Sequence, residues 1–187
     1  LAAVEQGAVL YVSHDDCLLS PFNQPFGLEV QSRQRRTAPA KIIFNGAADY
    51  LLEVAAPVRL NLECHRATTL AAEPDGNPIF TTAPYGRGRV FFLGAPLETA
   101  LANTPAAFQS LATFSAWRVY QQLAAAIAPR RVAQKTSPLV GLTEHQLTDN
   151  QRLLVALNYS SETQPAEIHL QPGWGAVAAW YGEYQTS

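Results

Sequence analysis

The residues best suited to chemistry sit in a few short clusters. Ser13-His14-Asp15-Asp16 has the letters of a hydrolase triad. Triad members meet in space from separate segments, because neighbouring side chains point in different directions. His14, Asp15 and Asp16 are therefore candidates for a simpler task, holding a metal or touching a sugar hydroxyl; the plainer and preferred reading is a polar turn with an Asp bonded to backbone N–H. Cys64-His65 places a thiol beside an imidazole, but adjacency does not supply nucleophile–base geometry. Gly86-Arg87-Gly88 precedes an apolar strand rather than a helix, so it cannot present helix-terminal amides to a phosphate and reads as a hairpin turn. Asn158-Tyr159-Ser160 matches a glycosylation acceptor, which matters only in a secreted protein. Glu53, Glu63, Glu73 and Glu98 are scattered, and no pair stands out as the two carboxylates, about 5–10 Å apart, that a glycosidase uses. No catalytic residue, metal site or cofactor is expected.

The elements that must position these residues follow from pattern. Ala8–Ser13 (AVLYVS) is a continuous apolar run, as in a parallel strand covered on both faces by helices. It delivers Ser13-His14-Asp15-Asp16 to its carboxyl end, where open α/β sheets bind ligands. Short strands are expected at Gly27–Gln31, Lys41–Phe44, Tyr50–Val54 and Arg59–Glu63. Thr68–Leu93 reads as a three-strand meander, with a type I′ Asp75-Gly76 turn and a second turn at Tyr85-Gly86-Arg87-Gly88. A long helix is expected from Asn103 to Ala128, with Asn103 or Thr104 as its cap, Pro105 in its first turn and Pro129 ending it. Phe108, Leu111, Ala112, Val119, Leu123 and Ile127 form its main apolar stripe. Phe114, Trp117 and Tyr120 lie away from that stripe and are candidates for a subunit or domain interface, or for cover by another layer. Beyond the helix the character changes: Leu153–Tyr159, Ala166–Leu170 and Ala176–Tyr181 read as strands with no helix between them.

The expected organisation is an α/β domain over 1–130, a linker over 131–137 and an antiparallel β module over 138–187. With 13 basic against 15 acidic residues and a net charge of −2, there is no electrostatic footprint for nucleic acid or an anionic membrane. No run approaches the ~20 apolar residues of a membrane span, and a cytoplasmic location is expected. The two cysteines match neither a disulfide framework nor a zinc motif. The sequence contains no Met, and we expect it to be a piece of a longer polypeptide.

Three segments together resemble a known arrangement. GAVLYVSHDD is similar to the glycine–strand–Ser–Asp segment of the glutamine-amidotransferase-like α/β domain in some glycoside hydrolases. TTLAAEPDGNPIFTTAPYGRGRVFFLGAPLE resembles the closing meander of that domain. NQRLLVALNYSSETQPAEIHL resembles the start of the small C-terminal β domain of many glycosidases. Their order resembles the rear half of family 42 β-galactosidases, from Gly7 onward. That resemblance implies a partial flavodoxin-like domain followed by a small β domain. It also implies homo-oligomerisation, commonly as trimers, and a catalytic (β/α)₈ barrel as a partner in the same polypeptide or complex. The barrel, the first βα units and the amidotransferase elbow cysteine have no counterpart here, so no catalytic residue is inherited. The expected role is that of an accessory or oligomerisation region acting in carbohydrate metabolism. The alternative is a free-standing carbohydrate-binding module that uses His14–Asp16 and the aromatics Trp174, Trp180 and Tyr181.

Overall fold

The computed structural model describes residues 1–15, 23–45, 51–105, 107, 116–128 and 131–185. Asp16, Cys17, Phe108, Leu111, Ala112 and Phe114 lie outside them. The chain is a mixed α/β protein that divides into two compact units, Leu1–Ile127 and Ala128–Ser187.

The first unit is organised by a six-stranded sheet. Its strands are β1 (Val9–Ser13), β3 (Ala40–Phe44), β4 (Leu51–Val54), β6 (Thr68–Ala72), β7 (Pro78–Tyr85) and β8 (Gly88–Leu93), in the order β1-β8-β7-β6-β3-β4. Only β1 and β8 run parallel, with Val9 opposite Arg89 and Ser13 opposite Leu93. Every other junction is antiparallel. The apolar run RVFFL explains why the sheet needs cover on both faces. Successive side chains of a strand point to opposite faces, so Phe91 and Leu93 enter one core while Val90 and Phe92 enter another. β1 follows the same rule, with Val9 and Tyr11 against the first core and Leu10 and Val12 against the second.

The two faces are covered differently. Helices α3 (Leu97–Ala102) and α4 (Trp117–Ile127) supply Leu97, Leu101 and Val119 to the first core. The second is closed mainly by the antiparallel ribbon of β2 (Leu28–Arg35) and β5 (Val58–Cys64), through Leu28, Leu60 and Leu62. Val4 of α1 (Ala2–Glu5) and Phe26 of α2 (Asn23–Phe26) join it. The expectation of a parallel sheet with helices on each side is thus corrected to one parallel pair, with a β ribbon on one face.

The meander β6-β7-β8 lies where the sequence places it, and its turns show why. Gly86 adopts φ +58, and a Cβ there would lie 2.5 Å from Glu5 Cα. A Cβ on Gly88 would lie 2.2 Å from the carbonyl oxygens of both Val4 and Ala8. The second turn is therefore glycine-rich because α1 packs on it. The first turn is longer than the expected two-residue form. Glu73 N–H donates to Asn77 O at 2.9 Å, and Asp75 Oδ1 accepts from Asn77 N–H at 3.2 Å. The helix expected from Asn103 begins elsewhere. Asn103 ends α3, donating from its backbone and Nδ2 to Thr99 O, and α4 starts at Trp117.

In the second unit, β10 (Val140–Thr148) and β11 (Gln151–Asn158) form a hairpin, and β9 (Ala133–Lys135) pairs with β12 (Ile168–Leu170). β9 falls inside the segment expected as a linker. Val132, Ala133 and Leu142 make a small core with Leu154, Leu170 and Trp174 against it. Ala176–Tyr181 is not a strand: it has no pairing partner among the described residues, and Val177 and Tyr181 are 94% and 97% exposed.

Candidate functional site

The parallel pair β1/β8 creates a strand-end site that combines polar groups from different elements. β8 runs out through Gly94-Ala95-Pro96 into α3, which puts Glu98 in the first turn of that helix. β1 ends beside it at Ser13, opposite Leu93. The Ser13 hydroxyl donates to Glu98 Oε2, and the Tyr120 hydroxyl, arriving on α4, donates to Glu98 Oε1 at 2.9 Å. The Tyr11 ring meets the Tyr120 ring edge-on, with centroids 6.4 Å apart. The Tyr11 hydroxyl is buried and lies near Glu98 and Ser13 without completing a well-aligned hydrogen bond.

Electrostatics follow from that crowding. Burial, then the Glu98 charge, drives the Tyr11 phenol far above its ordinary value. Burial, then the hydrogen bond to Glu98, does the same to Tyr120. A phenolate would have to form in an apolar wall beside a carboxylate, so both groups stay protonated donors. One carboxylate ringed by hydroxyls orients polar groups. It is not a nucleophile, base and orienting acid in series, because Ser13 bonds directly to a carboxylate with no imidazole between them.

The residues singled out in the sequence separate here. The His14 side chain is 3% exposed, with its ring centroid 6.4 Å from that of Phe92, and the backbone N–H of His14 donates to Leu93 O at 2.8 Å. Asp15 is exposed, and Asp16 lies outside the described residues. Trp117 is half-buried with the Arg118 guanidinium 4.5 Å from its ring centroid. Tyr120 packs on the first core and bonds Glu98, within its own unit. Glu98, Tyr11 and Tyr120 were not legible as a cluster, because nothing in the order of residues announces that β1 pairs with β8.

Cys64 and His65 do not form a couple. Cys64 Sγ lies 3.8 Å from Thr69 Oγ1, whereas His65 Nε2 lies 3.2 Å from Glu29 Oε2. The scattered carboxylates also have separate engagements: Glu53 with Lys41 at 3.5 Å, Glu73 with Arg36 at 2.7 Å, and Glu98 with its hydroxyls. Glu63 joins Glu29 and His65 in the one group of three metal-ligating side chains among the described residues. Trp174 is partly covered, with Arg152 5.1 Å from its ring centroid. No helix among the described residues is long and apolar enough to cross a membrane.

No protein-family model and no curated protein sequence matches the chain. Solved structures do. A β-galactosidase from Rahnella sp. R3 superposes with a TM-score of 0.56 and 18% identity, over 87% of this chain and 25% of that one. Gan42B, a GH42 β-galactosidase from G. stearothermophilus, gives 0.51 and 16% over 85% of this chain and 23% of that one. The exo-β-1,4-mannosidase Op5Man5 from Opitutaceae bacterium strain TAV5 gives 0.52 and 23% over 67% of this chain and 22% of that one. The chain thus shares the fold of a region of these glycoside hydrolases and spans about a quarter of their length.

Proposed function

We propose that this chain is the non-catalytic rear region of a glycoside hydrolase similar to the family 42 β-galactosidases. It would comprise a partial flavodoxin-like, glutamine-amidotransferase-like domain followed by a small β module. The observation that carries this reading is the fold match to β-galactosidases over 85–87% of the chain but only 23–25% of theirs. The site chemistry supports it. Glu98 is committed to hydroxyl donors. Glu29 and Glu63 stand on an open ribbon, Glu29 with its side chain 57% exposed, whereas acid–base couples work in a site that excludes water. On this reading the region mediates homo-oligomerisation, commonly into trimers, or shapes the edge of a barrel active site in the same polypeptide or complex, and it resides in the cytoplasm. Light scattering of the purified chain should give a mass above the 20.3 kDa of one copy, with no turnover of a nitrophenyl galactoside. Turnover that survives purification would overturn the reading.

A second reading, a carbohydrate-binding module, is favoured by Trp180 and Tyr181, which are 70% and 97% exposed. Calorimetry with an oligosaccharide panel separates the two. Saturable binding lost in Trp180→Ala would favour the second.

A further inference from the structure

The geometry points to a binding site for a divalent transition cation, best matched by Zn²⁺, formed by Glu29, Glu63 and His65 on the outer face of the β2–β5 ribbon. It lies on a different face of the sheet from the Glu98 cluster and does not depend on the proposed function.

The ribbon's register builds it. Glu29 stands directly opposite Glu63, and Leu28 and Val30 alternate with Glu29 toward the core. Both carboxylates therefore leave the ribbon on the solvent side. His65 stands in the bend just past the end of β5, where its backbone N–H donates to Gly27 O at 3.0 Å and its imidazole reaches Glu29. The result is two carboxylate oxygens and one imidazole nitrogen, all within 4.8 Å of one another. His65 Nε2 is already 3.2 Å from Glu29 Oε2, and Gln31 Nε2 fixes Glu63 Oε2 at 2.6 Å.

The pairing is unusual in its charge. Like charges directly opposite on antiparallel strands repel and destabilise the ladder. Among the described residues, neither Glu29 nor Glu63 is in an ion pair with a lysine or arginine. A divalent cation would turn that repulsion into shared ligation. The donor set selects the class of ion: one imidazole and two carboxylates suit Zn²⁺, whereas Ca²⁺ and Mg²⁺ take oxygen alone. Water completes the coordination on the open side.

Titration calorimetry of the 187-residue chain with zinc chloride tests this. The expected result is one saturable ion per chain, weakened roughly tenfold or more by His65→Ala and by Glu63→Gln. Glu63→Gln removes one of the facing charges and keeps the acceptor for Gln31, so it is expected to fold as well as the wild type. His169→Ala, in which a surface imidazole 3.6 Å from Glu167 is removed, should leave the isotherm unchanged. No saturable binding below about 1 mM, an isotherm indifferent to both site variants, or tighter binding of Ca²⁺ than of Zn²⁺ would overturn the assignment.

Discussion

Arg36 Nη1 lies 2.7 Å from Glu73 Oε1, with both side chains more than nine-tenths covered. Arg36 follows β2, and Glu73 opens the loop between β6 and β7, so this pair ties the ribbon to the main sheet. Arg59 Nε joins Glu73 at 2.9 Å and Arg59 also bonds Asp75, while Asn77 Nδ2 donates to Glu73 Oε2 at 2.8 Å. Removing one partner of a buried pair strands the other's charge. Glu73→Gln should therefore lower unfolding free energy by about 3 kcal/mol, read from urea melts. A loss below 0.5 kcal/mol, on the scale of an ordinary surface change, would mean that water reaches the pair.

Tyr11 and Tyr120 make a prediction about alkaline pH. Their folded pKa values lie above those of the unfolded chain. Folding therefore keeps a proton that the unfolded chain releases near pH 10. The contribution is fully present below that pH and is lost as pH rises from it toward the folded values. Wild type should lose stability steeply above about pH 10, and Tyr11→Phe should flatten that loss. Parallel curves for the two proteins between pH 9 and about 11.5 would show that the phenol is solvated.

Two glycines separate two kinds of constraint. A Cβ on Gly76 would meet nothing within 4 Å, but its φ is +88. Gly76→Ala should cost about 1 kcal/mol from backbone conformation alone. Gly88→Ala would drive a methyl into two carbonyl oxygens 2.2 Å away and should cost about 3 kcal/mol. Thermal melts that rank them in the reverse order would mean that α1 yields more readily than the Asp75-Gly76 loop.

The second unit offers a related test. A Cβ on Gly141 would lie 2.5 Å from Cε2 of Tyr159, so the ring rests on the hairpin at that glycine. Gly141→Ala should swing the Tyr159 ring, already 55% exposed, off the hairpin, with a rise in tyrosine accessibility and a loss of only about 0.5 kcal/mol. Unchanged accessibility would show that the hairpin, rather than the ring, gives way.

Local chemistry was legible where it was decisive. Gly86 and Gly88 announce a hairpin, RVFFL between turns announces a strand, and the continuous apolar run AVLYVS announces a strand covered on both faces. Pairing between distant segments was not. β1 and β8 meet across more than seventy residues, and no local pattern marks Ser13 and Glu98 as neighbours, so the sequence points to His14–Asp16 instead. Val140–Thr148 carries no local strand signal, because its outer half, EHQLT, is polar and its partner strand supplies the reason for it to be extended. Ala176–Tyr181 erred in the opposite direction. Its apolar, aromatic composition favours a strand, but a strand needs a neighbour to take its backbone hydrogen bonds, and none lies beside it among the described residues.

The alternation along β8 has a kinetic consequence. Val90 and Phe92 belong to one apolar layer and Phe91 and Leu93 to the other, so neither layer can open without disturbing the strand they share. The first unit should therefore behave as a single cooperative foldon, with the amide protons of Val90 to Leu93 the slowest to exchange with deuterated solvent. They should be released only by unfolding of the whole unit.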